Sequence, residues 1–275
     1  MAYVKPEAVV DQMIQAGAYK AGLSAKDLLI RGFLAGSLLG YAVTVAFSAI
    51  AQTDMRIVGS LVFPLGFVMI ILLGLELVTG NFALIPLAVM ERKTTLGRML
   101  YNWTWVYIGH LAGTFFYGAL FYIGATKLGA VPDPKVGSMI AKVAENNTLG
   151  YAQLGFAAGW TVAFVKAILC NWMVTLGAVM ALVSQHVIGK IMAMWLPILT
   201  FFALGFEHAV VNMFLMPTGM LFGANITLWD WWFWNQIPVT IGNLVAGFTL
   251  TGLALYMTHR KQPEAQGAQV VEEAA

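Results

Sequence analysis

The chain of 275 residues is too apolar for a water-soluble domain, because 60% of its residues are hydrophobic and only 10% are charged, against about a quarter in soluble proteins. Its formal net charge of +2 and its lack of a basic run exclude nucleic acid as a partner. The single cysteine, Cys170, excludes an intrachain disulfide. The composition predicts an all-α membrane protein with one transmembrane domain.

Residues 1–27 predict a cytoplasmic amphipathic helix. Between residues 5 and 22, apolar residues such as Val9 and Met13 recur at helical spacing, opposite polar residues such as Asp11. A helix of this kind lies on the membrane surface among the lipid headgroups. An interfacial anchor is the simplest role, and a gate is the alternative.

Six membrane crossings are predicted in a transport domain spanning residues 28–258. They occupy approximately residues 28–50, 57–90, 103–124, 154–183, 191–217 and 237–257. As one straight helix the second run would reach ~50 Å, against a hydrocarbon core of ~30 Å, so it must tilt, break or re-enter. Residues 125–150 predict an outer loop, and residues 259–275 predict a disordered cytoplasmic tail.

Two stretches inside these runs share the frame G-x-E-x-x-x-x-N-x-x-x-x-P. The frame occupies residues 74–86 and returns at residues 205–217, an offset of 131 residues. Each copy places a glutamate and a proline inside an apolar run, where both are costly. In the first copy, Gly80 and Pro86 indicate a break; in the second, the break is expected between Glu207 and Pro217. The frame therefore predicts that helices 2 and 5 are broken.

Neighbouring blocks repeat in the same order. Residues 108–111 carry IGHL and residues 241–244 carry IGNL, while RGFLAG at 31–36 is echoed weakly by KAILCN at 166–171. The three blocks predict two halves of three helices each. Because three is an odd number, the second half is inverted relative to the first, as an inverted 3+3 repeat.

Six crossings place both termini on the same side of the membrane. Ten lysines and arginines lie on that side and four on the other. By the positive-inside rule, the side that carries the termini is cytoplasmic.

The two breaks predict one central site. A broken helix exposes backbone amides that are tolerated only in a cavity or inside protein, and half-helix N-termini attract anions. A small anion is therefore the expected ligand. Thr79 and His208 lie in the two frames, and a buried neutral histidine can donate a hydrogen bond or a proton to a weak-acid anion. The alternative is that His208 bonds a nearby carbonyl and only stabilises the break.

Polar residues near the breaks are predicted to support this site. Glu76 and Glu207 would accept hydrogen bonds from amides freed at the breaks, or stay protonated. Asn81 and Asn212 would cap the resumed half-helices. Asn171, in helix 4, faces either the pore or a neighbouring helix.

Four apolar residues lie on the segments that flank the central site. They are Phe63, Phe67, Leu77 and Phe201. Apolar rings can gate a pore by dewetting, and simple packing in the bundle is the alternative.

At these residues the sequence closely resembles the formate/nitrite transporter family, which includes hydrosulfide channels. The resemblance is carried by GLELVTGN at 74–81, KAILCNW at 166–172, GFEHAVVNMF at 205–214 and IPVTIGN at 237–243. It implies a homopentamer of aquaporin-like protomers, each with its own pore, in the inner membrane of a prokaryote. It also implies roles for individual residues: a central transport site at Thr79 and His208, pore constrictions at Phe63, Phe67, Leu77 and Phe201, and polar supports at Asn171, Glu207 and Asn212.

The sequence departs from the family pattern in three places. Phe67 stands where leucine is common, and Val78 stands where phenylalanine is common. Many members carry a lysine sixteen residues before the helix 4 asparagine, where this chain has Gly155. Lys142 and Lys166 are possible substitutes, although neither occupies the matching position.

The leading hypothesis is pH-dependent, proton-linked transport of small monovalent anions, formate first, by a protein that is not an enzyme and needs no cofactor or metal. Its partners are the anion, protons and membrane lipids. Nitrite and hydrosulfide are alternatives, because all three anions are small, monovalent and protonatable. A rival of another class is a haem-binding electron-transfer subunit with His110 and His208 as axial ligands. The sequence carries no H-E-x-x-H or G-x-S-x-G motif for a hydrolase.

Overall fold

The computed structural model describes residues 3–132 and 135–260, which fold as an assembly of helices. In chain order they are α1 (Pro6–Gly22), α2 (Ala25–Thr53), α3 (Arg56–Val62), α4 (Pro64–Leu72), α5 (Val78–Met90), α6 (Leu96–Thr126), α7 (Val136–Asn146), α8 (Leu149–Ala152), α9 (Phe156–Met180), α10 (Val187–Ala203), α11 (Ala209–Leu221) and α12 (Leu228–His259). Helix α12 is continuous but contains two π-helical stretches, Trp232–Gln236 and Ala246–Leu253.

Within residues 3–132 and 135–260, four helices are long and apolar enough to cross a membrane: α2, α6, α9 and α12. Between them lie two groups of shorter apolar helices, α3 to α5 and α10 to α11. These shorter helices occupy the second and fifth predicted crossings. The predicted boundaries of all six crossings agree with the observed helices to within about ten residues.

The short helices are separated at two matched places. We call residues 73–77 the first junction and residues 204–208 the second junction. Gly74 and Gly205 have φ of +63° and +66°, and the amide of the next residue bonds back to the carbonyl of Ile70 or Phe201. Such a left-handed glycine ends a helix while satisfying its last carbonyls.

The position predicted for the two interruptions was wrong by several residues. Pro86 lies inside α5 and Pro217 lies inside α11, and Gly80 is also helical. The helices end earlier, at Gly74 and Gly205, because the left-handed glycine stops each helix before the proline is reached. A proline inside a membrane helix is tolerated where neighbouring groups satisfy the freed carbonyl.

The N-terminal helix exists as predicted, but its apolar face is covered by protein. Val9, Met13 and Ile14 are buried in a cluster with Leu84 and Leu87 of α5. The hydrophobic stripe is therefore not available to lipid headgroups, since α5 already packs on it. Helix α1 is part of the bundle rather than a surface attachment.

The segment predicted as an outer loop contains a helix. Helix α7 buries Ile140 and Ala144, one turn apart, against α11. The sequence analysis predicted a loop because proline precedes this segment and asparagine ends it, and the apolar residues four positions apart between them were too few to indicate a helix. The tail predicted to be disordered comprises residues 259–275, and residues 261–275 of it lie outside the described residues.

Candidate functional site

The structure brings Thr79 and His208 together at the centre of the chain. Thr79 is the second residue of α5, and His208 is the last residue of the second junction. Thr79 Oγ1 and His208 Nε2 are 3.0 Å apart, and both side chains are buried. The sequence analysis predicted this pair, which is separated by 129 residues along the chain.

Hydrogen bonding defines the tautomer of His208. The Val211 amide donates to His208 Nδ1 at 3.2 Å, so the imidazole caps the N-terminus of α11. A neutral imidazole that accepts at Nδ1 carries its hydrogen on Nε2. Nε2 therefore donates to Thr79 Oγ1, and the hydroxyl hydrogen of Thr79 is free to point at a third group. The site presents one hydroxyl donor backed by an imidazole.

At the first junction, a buried glutamate is paired with an ammonium group. Glu76 accepts hydrogen bonds from Lys20 Nζ of α1 and from Asn81 Nδ2 of α5, both at 2.8 Å. Asn81 Nδ2 also donates to Asn102 Oδ1 of α6 at 2.9 Å. The Glu76 side chain is 1% exposed and that of Lys20 is 19% exposed, so the carboxylate is buried while the lysine keeps some contact with solvent.

At the second junction, the equivalent glutamate is held by neutral donors. Glu207 Oε1 accepts from the Tyr151 hydroxyl at 2.5 Å, and Oε2 accepts from Asn212 at 2.7 Å and Asn235 at 3.1 Å. The nearest ammonium, on Lys166, lies behind the phenol, with Nζ 3.3 Å from the Tyr151 oxygen. Three neutral donors therefore converge on the two oxygens of this buried side chain.

Two predictions about these polar residues were wrong. Asn81 and Asn212 do not cap α5 and α11; each amide donates to the glutamate five residues before it. Glu76 and Glu207 accept hydrogen bonds from side chains rather than from the amides freed at the junctions. A side-chain amide four residues into the helix points back over the first turn, where it reaches the carboxylate rather than the backbone.

The amides at the starts of α5 and α11 are satisfied from neighbouring helices. The Val78 amide donates to His110 Nε2 at 3.1 Å, and the Ala209 amide donates to Asn243 Oδ1 at 2.9 Å. His110 and Asn243 are the variable positions of the repeated IGHL and IGNL blocks. They hold the two helix N-termini in place.

Asn171 lies behind Thr79 and joins three helices. Its Nδ2 donates to the Thr79 carbonyl at 3.1 Å and to the Asn243 carbonyl at 2.6 Å. Its Oδ1 is buried without a partner among the described residues. The sequence left open whether Asn171 faces the pore or a neighbouring helix. Its amide nitrogen faces the backbone of neighbouring helices and fixes the start of α5 against α9 and α12.

Aromatic rings cover one side of His208. Phe201 lies 5.8 Å from the imidazole ring and 5.6 Å from Phe63, which it meets edge-on. Phe202, which the sequence analysis did not identify, stacks on Phe63 at 4.0 Å. The other two predicted constriction residues, Phe67 and Leu77, are also buried in the central core.

A cavity of about 410 Å³ opens beyond this aromatic cover. Phe201 and Asn212 line it, as do the cations Arg56 and Lys166, whereas His208 does not. Because the Phe201 ring contacts His208 on one side and the cavity on the other, it separates the polar pair from this space. We call this space the Phe201 cavity.

Several residues of the site were not assigned by the sequence analysis. They are Lys20, Asn102, Tyr151, Asn235 and Asn243. The repeat offset contained a signal for two of them, because Asn102 and Asn235 are 133 residues apart, the same spacing as His110 and Asn243. Lys20 and Tyr151 are 131 residues apart, the offset of the repeated frame, but their side chains differ in type and gave no pattern to recognise.

The haem hypothesis is not compatible with the two histidines. All four ring nitrogens of His110 and His208 take part in hydrogen bonds. Neither ring therefore has a free nitrogen for an iron atom. Within residues 3–132 and 135–260, no group of three or more His, Cys, Asp or Glu side chains is arranged to hold a metal ion.

Long apolar helices around a buried polar pair define a membrane transport protein. The family model for formate/nitrite transporters matches residues 7–257. The chain belongs to the formate/nitrite transporter family, whose members are membrane-embedded channels and transporters rather than enzymes.

Curated relatives match almost the whole chain. A formate channel of Bacillus thuringiensis is 30% identical over 268 residues, covering 95% of this chain and 98% of the relative. A probable formate transporter of Methanothermobacter thermautotrophicus is 33% identical over 251 residues, covering 86% and 89%.

Two solved structures share the fold. A structure described as an FNT family ion channel superposes with a TM-score of 0.78 at 27% identity, covering 91% of this chain and 98% of that one. A pentameric formate channel with formate bound superposes with a TM-score of 0.68 at 24% identity, covering 85% and 96%.

Proposed function

We propose that the protein carries small monovalent anions, formate first, through a central pore in a pH-dependent, proton-linked manner. The observation that carries this proposal is the buried Thr79–His208 contact between the two junctions, at 3.0 Å. Formate is named first because the curated relatives include a formate channel and a probable formate transporter. Nitrite stands beside it because the family model covers both anions.

The architecture proposed for this function is an inverted 3+3 repeat of six crossings, similar to an aquaporin protomer. In it, residues 28–258 form the transport domain, and α3–α5 and α10–α11 act as broken second and fifth crossings. Both termini face the cytoplasm of a prokaryote, with residues 1–27 on that side and the protein in the inner membrane. A homopentamer is proposed because a solved structure with the same fold is a pentameric channel.

The proposed path leads from the Phe201 cavity to the Thr79 hydroxyl. An anion in this cavity must pass Phe201 and Phe63, where a bare charge is very costly because nothing replaces its hydration. A weak acid avoids most of this cost if it crosses as the neutral species. Phe67 and Leu77 extend the apolar lining in this proposal, so the step through the rings selects for protonatable anions.

His208 is proposed to act chiefly as a hydrogen-bond donor. The Val211 amide already donates to Nδ1, so an imidazolium would place two hydrogens opposite each other and lose the cap of α11. The geometry therefore supports a neutral imidazole that donates from Nε2 and orients the Thr79 hydroxyl. In this scheme the anion takes its proton from a hydronium ion in the cavity, which becomes water, and His208 and Thr79 stabilise the anion at mid-depth.

The test replaces His208 by phenylalanine and measures uptake of labelled formate into proteoliposomes against external pH. We expect His208→Phe to remove the proton-coupled uptake, because the donor behind Thr79 is lost. His208→Asn is the matched control, since its amide can keep both the α11 cap and a donor, and it should retain part of the transport. Size-exclusion chromatography checks that the assembly is intact.

Unchanged dependence of uptake on pH in His208→Phe would refute the role of the central pair. Competitive flux with formate, nitrite and hydrosulfide on the wild-type protein ranks the three anions. Preference for nitrite or hydrosulfide would replace formate in the proposal and leave the pathway as described.

A further inference from the structure

A second cavity opens on the outer surface of the bundle, between α6 and α12. It has a volume of about 340 Å³, and residues of α5, α6 and α12 line it. We call it the α6–α12 cleft. Val78 and Phe82 of α5 are buried and form its floor, whereas Leu100 and Ile108 of α6 are exposed at its rim. The cleft therefore leads from the outer surface to the start of α5, one residue before Thr79.

The depth of the cleft depends on the small side chain at position 78. This is one of the places where the sequence departs from the family pattern, with valine where phenylalanine is common. The Val78 amide donates to His110 Nε2 at 3.1 Å, so its backbone is held in place. Trp103 packs edge-on against Phe82 at 4.9 Å beside it. A phenyl group at position 78 would therefore occupy part of the space that valine leaves open.

The cleft lies at mid-depth of two helices that are long enough to cross a membrane. Tyr107 is the twelfth residue of α6 and Thr240 is the thirteenth residue of α12. At 1.5 Å per residue, both lie roughly 17–18 Å from the start of their helix, against a hydrocarbon core of ~30 Å. At this depth lipid presents only acyl chains, which cannot form hydrogen bonds. A polar group in the cleft must therefore be satisfied by the protein or by a ligand.

Two side chains of the cleft have a donor without an acceptor in the described part of the chain. Trp103 Nε1 is buried and has no partner there. The Thr104 hydroxyl, at the rim, has no hydrogen bond to another described residue either. An exposed threonine of a neighbouring helix behaves differently, since the Thr161 hydroxyl donates to the Ala157 carbonyl at 2.7 Å. A buried donor left unsatisfied costs about 1–3 kcal/mol, so a ligand that accepts from it gains this amount.

A chain of hydrogen bonds brings a third donor to the cleft. Trp231 Nε1 donates to Gln236 Oε1 at 3.0 Å, and Gln236 Nε2 donates to the Tyr107 hydroxyl at 2.8 Å. The Tyr107 and Thr240 hydroxyls, both in the lining, are 3.1 Å apart. Only one of their two hydrogens can lie between the oxygens, and the other has no acceptor within residues 3–132 and 135–260. This pair can therefore donate to a ligand while its lone pairs accept from one.

The lining favours a neutral ligand with an apolar body. No charged side chain lines the cleft in the described chain, so an ion placed there would lose its hydration without compensation. Leu100, Ile108 and Leu244 supply apolar contact around the polar groups. The volume of about 340 Å³ is at the lower end of the range of roughly 300–1,000 Å³ that small-molecule sites occupy. The cleft thus suits a small amphiphile and not a free anion.

We infer that the α6–α12 cleft binds a neutral aliphatic molecule from the lipid phase, whose head group accepts hydrogen bonds from Trp103 and Thr104. An undissociated medium-chain carboxylic acid and an alkanol share this chemistry, because each has an oxygen that accepts and a hydroxyl that can donate to the Tyr107–Thr240 pair. The molecule lies beside Val78, away from the Phe201 cavity and the route proposed for the anion. The inference therefore does not depend on the proposed transport function.

The experiment photolabels the full-length protein in liposomes with a medium-chain alkanol that carries a diazirine on its chain. Mass spectrometry of the peptides maps the labelled residues. Labelling should be saturable, should fall on residues 100–108 and 240–244, and should be displaced by the unlabelled alkanol. A carboxylic acid probe of the same chain should label the same residues, and its labelling should fall as the pH rises through the pKa of the probe, because only the neutral form binds.

A filling variant tests the floor of the cleft. Val78→Phe should reduce labelling of residues 100–108 at least about fivefold, since the added ring occupies the binding space. Val165→Phe is the matched control, because Val165 is an exposed valine of α9 that does not line the cleft, and it should leave labelling unchanged.

Two variants test the hydrogen bonds, and they keep the inference testable if Val78→Phe does not assemble. Trp103→Phe and Thr104→Val each remove a donor at nearly constant shape, and each should raise the half-saturating probe concentration about two- to tenfold. Thr161→Val is the control, because the Thr161 hydroxyl is already satisfied within its own helix.

Several results would overturn the inference. Labelling spread evenly over the exposed apolar faces of α2 and α9 would show general partitioning into lipid. Equal loss of labelling in Val78→Phe and Val165→Phe would contradict the assigned floor, and labelling by the acid that does not depend on pH would contradict a neutral ligand. Labelling that appears only after the assembly is dissociated into protomers would assign the cleft to contact with a neighbouring copy of the chain.

Discussion

The two junctions place the same carboxylate in the same frame and satisfy it differently. Glu76 is paired with the ammonium of Lys20, whereas Glu207 is bonded by the Tyr151 hydroxyl and two asparagine amides. In each half, one donor to the glutamate is the asparagine of the repeated frame, Asn81 or Asn212. Another donor comes from an outer segment that precedes the frame, Lys20 of α1 in the first half and Tyr151 of α8 in the second.

These outer segments occupy matching positions. Helix α1 packs on α5, and α7 packs on α11. In each half a backbone carbonyl of the outer segment accepts from an asparagine of the long helix that follows the short helices: Lys20 from Asn102 of α6, and Asn147 from Asn235 of α12, at 2.9 Å in both cases. The repeat therefore determines where the carboxylate lies, and the less similar outer segment determines whether its charge is cancelled. That choice leaves Lys166 available at one junction and Lys20 engaged at the other.

The largest effects are expected from removing the carboxylates. Glu76→Leu leaves the Lys20 ammonium without its partner, and Glu207→Leu leaves three donors without an acceptor. Each should cost about 3–5 kcal/mol, since a broken buried pair or network costs that much. In thermal unfolding of the purified protein this corresponds to a fall in Tm of roughly 10 °C.

The comparison is sharpened by a second substitution. Lys20→Met in the Glu76→Leu background should restore about half of the lost Tm, because both charges leave together. Tyr151→Phe in the Glu207→Leu background should restore less, since two asparagine donors remain unpaired. An equal recovery of Tm in the two double variants would contradict the proposed difference between the two glutamate environments.

A smaller difference is expected between the two groups that hold the helix N-termini. Asn243 accepts from the Ala209 amide and donates to the carbonyls of Ala167 and Glu207, whereas His110 makes two side-chain bonds. Asn243→Ala should therefore cost about 2–3 kcal/mol and His110→Ala about 1–2 kcal/mol, measured as Tm. The double variant should be nearly additive because the two groups share no partner. The reverse order would mean that the cavity left by the imidazole outweighs the hydrogen bonds.

The smallest effect is expected from the ion cluster in which Arg260 connects Asp11 of α1 to Glu91 at the end of α5. Arg260 pairs with Asp11 at 2.6 Å and with Glu91 at 2.9 Å. The Arg260 guanidinium, together with the Tyr256 hydroxyl, lowers the pKa of Glu91 below its ordinary value of 4.5. A carboxyl with a lowered pKa stabilises the fold above the ordinary value, and this contribution is lost as the pH falls through the lowered one.

Arg260→Gln should therefore cost about 1 kcal/mol at pH 7, and the difference from wild type should shrink below about pH 4.5. Hydrogen exchange of the α1 amides at pH 7 and pH 4 measures the release of this helix. Lys26→Gln, a change at an exposed lysine of α2, serves as the control. A difference that grows on acidification would contradict the assigned sign.

Much of the architecture follows from local patterns in the chain. Apolar run lengths predicted which stretches are helical, and the repeated frame predicted that Thr79 and His208 lie close together, although the helices end earlier than expected. Run length and repeat spacing can be read in this way because both act along the sequence itself. The helix in residues 136–146 was missed because one apolar turn between proline and asparagine residues resembles a loop.

The sequence by itself determined the membrane class, the repeated frame and the proximity of Thr79 to His208. Only the tertiary structure decided that Lys20 neutralises Glu76, that Tyr151 stands between Lys166 and Glu207, and that His110 and Asn243 hold the helix starts. These contacts join residues up to 56 positions apart along the chain. The repeat spacing places Lys20 and Tyr151 at equivalent positions, but the way in which α1 and α8 pack against the bundle decides that each of them reaches the buried carboxylate.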